Sequence, residues 1–153
     1  MTKADEKRQA GSRRDARLGD PCIACGGRMA RSRKSTSLPV NGEEMKGLRV
    51  LHIRCTRCGE AMYSIEESRQ IRELAFDKYR QRYGLMTADE IRTLRERLQM
   101  SQRCLAEHLR LGEATIARWE SNRNVQTAAM DLLLKLIRDV PAAAKYVEND
   151  KAA

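Results

Sequence analysis

Four of the five cysteines in this 153-residue chain form two closely spaced pairs. Two residues separate Cys22 from Cys25 and Cys55 from Cys58, and a glycine follows the second cysteine of each pair. This spacing lets both thiolates of a pair contact one ion, so two pairs supply the four soft ligands that zinc prefers. The sequence therefore predicts one structural Zn²⁺ per chain, bound by Cys22, Cys25, Cys55 and Cys58, with iron as the main competitor.

Such a metal would hold structure and perform no reaction. A closed shell of four thiolates has no open position for water or substrate, and no motif in the sequence combines a nucleophile with a base, so we expect no enzymatic activity. The alternatives for the cysteines are core thiols or two disulfides, but a cytoplasmic chain is kept reduced. We expect a cytoplasmic location because the first residues form no apolar signal segment and no apolar run approaches membrane-spanning length.

The cysteines belong to a small module predicted over residues 21–63. Asn41-Gly42 is a turn signal between β-prone segments, so we expect short β-strands here. A module of this size builds a small core and usually needs a metal or disulfides to fold. Residues 1–20, rich in charged and small side chains, are expected to form a disordered basic arm.

Basic residues outnumber acidic ones, and the formal net charge is +9. Most of the excess lies at residues 26–58, which contain eight Lys or Arg and two Glu. A basic surface favours an anionic partner such as nucleic acid or a membrane surface, although a solvated surface with no partner is the alternative.

Apolar residues recur at helical spacing in the rest of the chain. A linker helix is predicted over residues 64–84, where Ser64 and Glu67 form a capping box and Gly84 ends the helix. Residues 85–141 are expected to form an all-α domain and residues 142–153 a flexible tail after Pro141. The domain's four helices are predicted at 87–98, 101–110, 113–121 and 126–139. The fold class is therefore α+β, with a zinc-ribbon-like module before the helices.

The most specific helical motif spans two of these predicted helices. It reads Ser101-Gln102-x-x-Leu105-Ala106-x-x-Leu109, then Thr115-Ile116-x-Arg118-Trp119-Glu120. This motif resembles the helix-turn-helix of the XRE (Cro and phage-repressor-like) DNA-binding family. The resemblance implies a buried ion pair between Arg95 and Glu120 and a recognition helix at residues 113–121.

The same resemblance implies contacts with double-stranded DNA. Arg118 would read a guanine in the major groove, because its planar fork matches the O6 and N7 acceptors. Residues at the ends of the motif would bind phosphates and so position the protein. The implied DNA-binding residues are Gln102, Glu113, Ala114, Thr115, Arg118 and Arg123. The sequence departs from the family at Arg110, where a glycine commonly makes the turn.

The order of these motifs resembles the MqsA (YgiT-type) family of zinc-containing type II antitoxins over about residues 20–140. That family implies a zinc half that inhibits a small ribonuclease toxin and a helix-turn-helix half that forms a homodimer and represses its own operon. We expect no membrane partner. The apolar face of the last helix predicts a dimer interface formed by Met130, Leu133, Leu134, Leu136 and Ile137.

Other functions remain compatible with the same motifs. A free-standing zinc-finger helix-turn-helix regulator would need no toxin, and an RNA-binding zinc ribbon would use the basic segment at residues 26–58. A helical bundle without DNA affinity is a further alternative. A neighbouring gene for a small basic ribonuclease-like protein would favour the antitoxin.

Overall fold

The structure is a computed structural model that describes residues 18–149. The disordered arm predicted at residues 1–20 therefore lies outside the described residues up to position 17. Five strands precede the helices: β1 (Met29–Ser32), β2 (Thr36–Val40), β3 (Glu43–Leu48), β4 (His52–Cys55) and β5 (Ala61–Met62). The helices are α1 (Ile65–Tyr83), α2 (Ala88–Arg97), α3 (Gln102–His108), α4 (Ala114–Glu120), α5 (Ala128–Asp139) and α6 (Pro141–Asn149). None of these helices is both long and apolar enough to cross a membrane.

The strands form two small antiparallel sheets, so the α+β fold class is confirmed. One sheet has the order β1-β4-β5, and Met29 of β1 lies opposite Cys55 of β4. The other is the β2–β3 hairpin. Its turn contains Asn41 at φ 49° and Gly42 at φ 84°. Two consecutive positive φ angles are typical of the tight type I′ hairpin turn, as the Asn-Gly pair predicts.

Each sheet has its own small core. In the three-stranded sheet, two of the cysteines are themselves core residues, since Cys22, Met29 and Cys55 form its buried cluster. The hairpin is different, because its buried Met45 packs against Ile71 and Ala75 of α1. The helix therefore supports the hairpin with ordinary apolar contacts, whereas the three-stranded sheet depends on its cysteines.

Helix α1 begins and ends where the sequence predicts. The Ser64 hydroxyl accepts a hydrogen bond from the Glu67 amide at 3.1 Å, and the Glu67 carboxylate accepts one from the Ser64 amide at 2.6 Å. This reciprocal capping satisfies two amides that the first turn of a helix leaves free. Gly84, at φ 60°, ends the helix in the left-handed conformation.

The remaining helices surround one apolar core. Ala106 is fully buried and Trp119 is 4% exposed, so both are core residues, as the helix-turn-helix motif implies. The other fully or nearly fully buried members of this core are Met86, Ile91, Leu94, Leu98, Leu105, Ile116, Leu134, Ile137 and Val147.

The prediction of a flexible tail from residue 142 is wrong for residues 142–149, which continue helix α6. Pro141 begins this helix, where its fixed φ is favourable and its missing amide costs no hydrogen bond. Alanines at 142–144 favour helix, and Val147 is buried in the core of the helical domain. Burial of Val147 gives the segment a reason to dock that periodicity before Pro141 does not reveal.

Candidate metal centre and nucleic-acid interface

The four cysteines predicted to bind zinc lie together. Their Sγ atoms are all within 4.8 Å of one another. The Sγ atoms of Cys22 and Cys58 are 3.7 Å apart, and those of Cys25 and Cys55 are 3.6 Å apart. Four sulfurs bound tetrahedrally at the usual Zn–S distance lie about 3.8 Å apart. The four cysteines are thus positioned to bind one metal ion, and their all-sulfur set fits a structural Zn²⁺.

The two cysteine pairs have the same backbone turn. The amide of Gly26 donates to the carbonyl of Cys22 at 2.7 Å, and that of Gly59 donates to the carbonyl of Cys55 at 3.1 Å. Gly26 has φ 69° and Gly59 has φ 80°. These left-handed angles are favourable for glycine and strained for other residues, which explains the glycine after each pair.

Backbone amides also donate to the sulfurs. The amide of Gly27 lies 3.4 Å from the Sγ of Cys25, and the amide of Arg57 lies 3.4 Å from the Sγ of Cys55. A Cβ on Gly27 would come within 2.9 Å of the Sγ of Cys55. The sequence analysis did not single out Gly27, because the crowding comes from the distant second pair.

The cysteine cluster divides its protons unequally. Amides of Cys58 and Arg57 donate to the sulfur of Cys55 and lower its pKa to about 6. The amide of Glu60 favours the thiolate of Cys58, but Cys25, burial and the other cysteines outweigh it and raise the pKa of Cys58 to about 12. Neighbouring thiols thus oppose each other's ionisation, and a divalent cation supplies the charge that lets all four bind as thiolates.

The remaining sulfur and imidazole groups lie apart from this centre. His52 is buried beside Tyr63, and its Nδ1 is 2.8 Å from the carbonyl of Val50. Cys104 is on α3, where the Nδ1 of His108 lies 2.7 Å from the Cys104 carbonyl. Both histidines therefore contact the backbone rather than the four-cysteine cluster.

In the helical domain, Arg95 and Glu120 form the ion pair that the XRE resemblance implies. The Arg95 Nε donates to Glu120 Oε1 at 2.7 Å and its Nη2 to Oε2 at 3.0 Å, with side-chain exposures of 14% and 1%. Gln102 was predicted to contact phosphate, but its amide donates to Glu120 Oε2 at 2.8 Å. The buried carboxylate thus gives Gln102 an internal partner.

The outer face of the recognition helix α4 is open to solvent. Glu113, Ala114, Arg118 and Arg123 are exposed, and Thr115 is half-buried. Within residues 18–149, neither Arg118 nor Arg123 uses its side chain in a hydrogen bond or ion pair. Two long cations are therefore free to contact an anion on this face.

The turn before the recognition helix has the conformation that the sequence comparison places in doubt. Arg110 lies at φ 56°, in the left-handed region where glycine is common in the XRE pattern. Its amide donates to the carbonyl of Glu107 at 3.0 Å, closing the end of α3. The turn is therefore retained at the cost of backbone strain at a non-glycine residue.

A family model described as the antitoxin component of a bacterial toxin–antitoxin system, MqsA, matches residues 20–147. This match covers the cysteine centre and the whole helix-turn-helix. The chain belongs to the MqsA antitoxin family. The resemblance inferred from the paired cysteines and the Ser101–Glu120 motif is thereby confirmed. Comparison with individually curated proteins gave no match.

The antitoxin's predicted dimer interface needs correction at two positions. Leu134 and Ile137 are fully or nearly fully buried in the core of their own domain, so they offer no surface to a second copy. Met130 and Leu133 are partly buried against the same core. Leu136 remains 45% exposed, next to Leu132 at 59%. The helical spacing reports an apolar face, but it does not distinguish core from interface.

Two arginines that the sequence analysis did not assign contact the carboxyl end of the antitoxin's recognition helix. Arg92 of α2 donates to the carbonyl of Glu120 at 2.8 Å, and Arg80 of α1 donates to the carbonyl of Trp119 at 3.1 Å. On a charged, weakly amphipathic helix such as α1, an arginine is indistinguishable from a surface residue in the sequence. Only the tertiary contact reveals its role.

Proposed function

We propose that this antitoxin is a transcriptional repressor that binds operator DNA as a homodimer and neutralises a small ribonuclease toxin. The observation that carries the DNA-binding part is the recognition helix. Its inner side is held by the Arg95–Glu120 pair, and its outer side presents Arg118 without an internal partner. A repressor of a bacterial operon acts in the cytoplasm, where the DNA lies.

The proposed dimer explains how a nearly neutral domain binds DNA. Residues 84–140 contain nine basic and eight acidic residues, so the electrostatic attraction of one copy to phosphate is weak. Two copies on a palindrome double the contacts, with half-sites about 34 Å apart. The exposed Leu132 and Leu136 on α5 are the apolar surface we assign to the seam.

We expect Arg118→Ala to remove base preference while retaining non-specific binding. Loss of one bidentate contact costs about 1–3 kcal/mol of discrimination, or roughly 5- to 150-fold. Arg123→Ala is expected to weaken binding to all sequences about equally and to reduce the salt slope by about 0.9 per phosphate lost. Footprinting and fluorescence anisotropy on operator and scrambled duplexes measure both effects.

The matched control for these variants is Arg72→Ala, which removes an exposed arginine from α1, away from the recognition helix. It should bind as the unmodified protein does. If the unmodified antitoxin prefers single-stranded RNA to duplex DNA at equal salt, the RNA-binding alternative replaces the repressor.

For the toxin, we expect a stable complex with the product of the neighbouring toxin gene. One equivalent of antitoxin should suppress the toxin's ribonuclease activity, since a protein inhibitor acts by stoichiometric binding. Titration of RNA cleavage against antitoxin concentration measures this. Cleavage that persists at excess antitoxin would favour the free-standing regulator.

A further inference from the structure

The guanidinium of Arg80 is the centre of a buried contact between linker helix α1 and the residues after the recognition helix. Arg80 is 1% exposed. Its Nε donates to Gln126 Oε1 at 3.2 Å, its Nη1 to Asn122 Oδ1, and its Nη2 to the carbonyls of Trp119 and Asn124, each at 3.1 Å. These four acceptors are all uncharged. Burial accordingly lowers the pKa of Arg80, which only partly regains stabilisation from more distant carboxylates.

The acceptors of Arg80 include an exposed end of helix α4. The last carbonyls of a helix have no partners within the helix and carry its partial negative charge. In α4, the carbonyl of Arg118 accepts from the amide of Arg123 at 2.8 Å, while those of Trp119 and Glu120 accept from Arg80 and Arg92. The recognition helix is thus capped partly by a side chain from the linker helix.

Two further contacts hold the same loop, residues 121–126, on α1. The Asn122 side chain donates to Asp77 Oδ1 at 2.8 Å. Val125 is 6% exposed and belongs to the apolar cluster that joins the hairpin to α1. Because Arg123 lies between these two anchors, the position of α1 sets the position of a predicted phosphate contact.

From these contacts we infer that Arg80 is a positioning residue: it fixes the recognition helix and the Arg123 loop relative to α1, so that operator affinity depends on the linker helix and the zinc half it carries. This inference rests on the proposed DNA-binding function. A rigid attachment makes anything that shifts α1, including a partner bound to the N-terminal half, a modulator of DNA binding.

The test uses the full-length, zinc-loaded protein and two variants. Arg80→Met keeps the side-chain length and removes all four donated bonds. Asn122→Gly removes the contacts with Arg80 and Asp77 and tolerates the φ of 55° at that position. We expect each variant to bind operator about tenfold more weakly, with a salt slope smaller by about 0.9, because the loop no longer presents Arg123 to phosphate. Arg72→Met on the same helix is the matched control and should change neither quantity.

The outcomes separate this inference from the function on which it rests. If the unmodified protein does not bind duplex DNA, the proposed function fails. If it binds, and the variants melt well above the assay temperature yet keep its affinity and salt slope, the positioning role of Arg80 is overturned. Should Arg80→Met fail to fold, Asn122→Gly decides alone by the same two measurements, because it leaves the buried guanidinium three of its four acceptors.

Discussion

Removal of the metal is expected to unfold the three-stranded sheet while the helical domain stays folded. Cys22 and Cys55 are core residues of that sheet, and the only other residue of its buried cluster is Met29. Structural zinc contributes about 10–16 kcal/mol of apparent binding free energy in zinc-finger peptides, far more than such a core supplies. Cys55→Ser, which removes the ligand with the pKa lowered to about 6, should have the same effect as chelation.

The measurement is metal analysis of the reduced protein together with amide NMR before and after chelation. Signals from β1, β4 and β5 should collapse, while those of α2 to α5 persist. Cys104→Ser is the matched control, since Cys104 lies on α3 and is not one of the four clustered cysteines. Absence of stoichiometric metal, or unchanged signals from these strands after chelation, would contradict this account of the fold.

The hairpin should respond less than the sheet does. Met45 is fully buried against Ile71 and Ala75 of α1, so the hairpin retains its apolar support without the metal. The sequence analysis treats residues 21–63 as one metal-dependent module. The structure divides that segment into a part organised by cysteines and a part organised by a helix, and chelation should distinguish the two.

The features that the sequence predicts well are those set by short-range geometry. The cysteine pairs need only a two-residue spacer and a glycine, and both pairs have the turn expected of them. The Ser64 capping box and the Asn41-Gly42 turn likewise depend on a few neighbouring residues. Because each motif carries its own conformational cause, each is readable without knowledge of the fold.

The features that escape prediction depend on residues far apart in the chain. Arg80 is buried by contacts with residues about forty positions later, and Val125 enters a core otherwise built from the hairpin and α1. Helix α6 forms because Val147 finds a place in the helical core. Leu134 and Ile137 fill the core rather than the predicted dimer face for the same reason. Periodicity identifies an apolar face, but tertiary packing decides what covers it.

The second large effect is expected for Glu120→Ala. The Glu120 carboxylate is 1% exposed and accepts hydrogen bonds from Arg95 and Gln102. Removing it leaves the Arg95 guanidinium without its main partner, which generally costs about 3–5 kcal/mol for a buried pair. We expect about 3 kcal/mol, the lower end, because Arg95 is 14% exposed and keeps its bond to the Met100 carbonyl. Chemical denaturation monitored by circular dichroism measures the loss.

Two comparisons decide whether this loss comes from the buried pair. Glu66→Ala breaks an exposed ion pair with Arg69 and should cost less than about 1 kcal/mol. Replacing both Arg95 and Glu120 by methionine should recover most of the stability, since apolar residues of similar size remove the unpaired charge. If Glu120→Ala instead keeps the unfolding midpoint and loses only operator binding, Glu120 contacts DNA. The recognition helix must then be oriented differently from the arrangement in which Arg118 faces the groove.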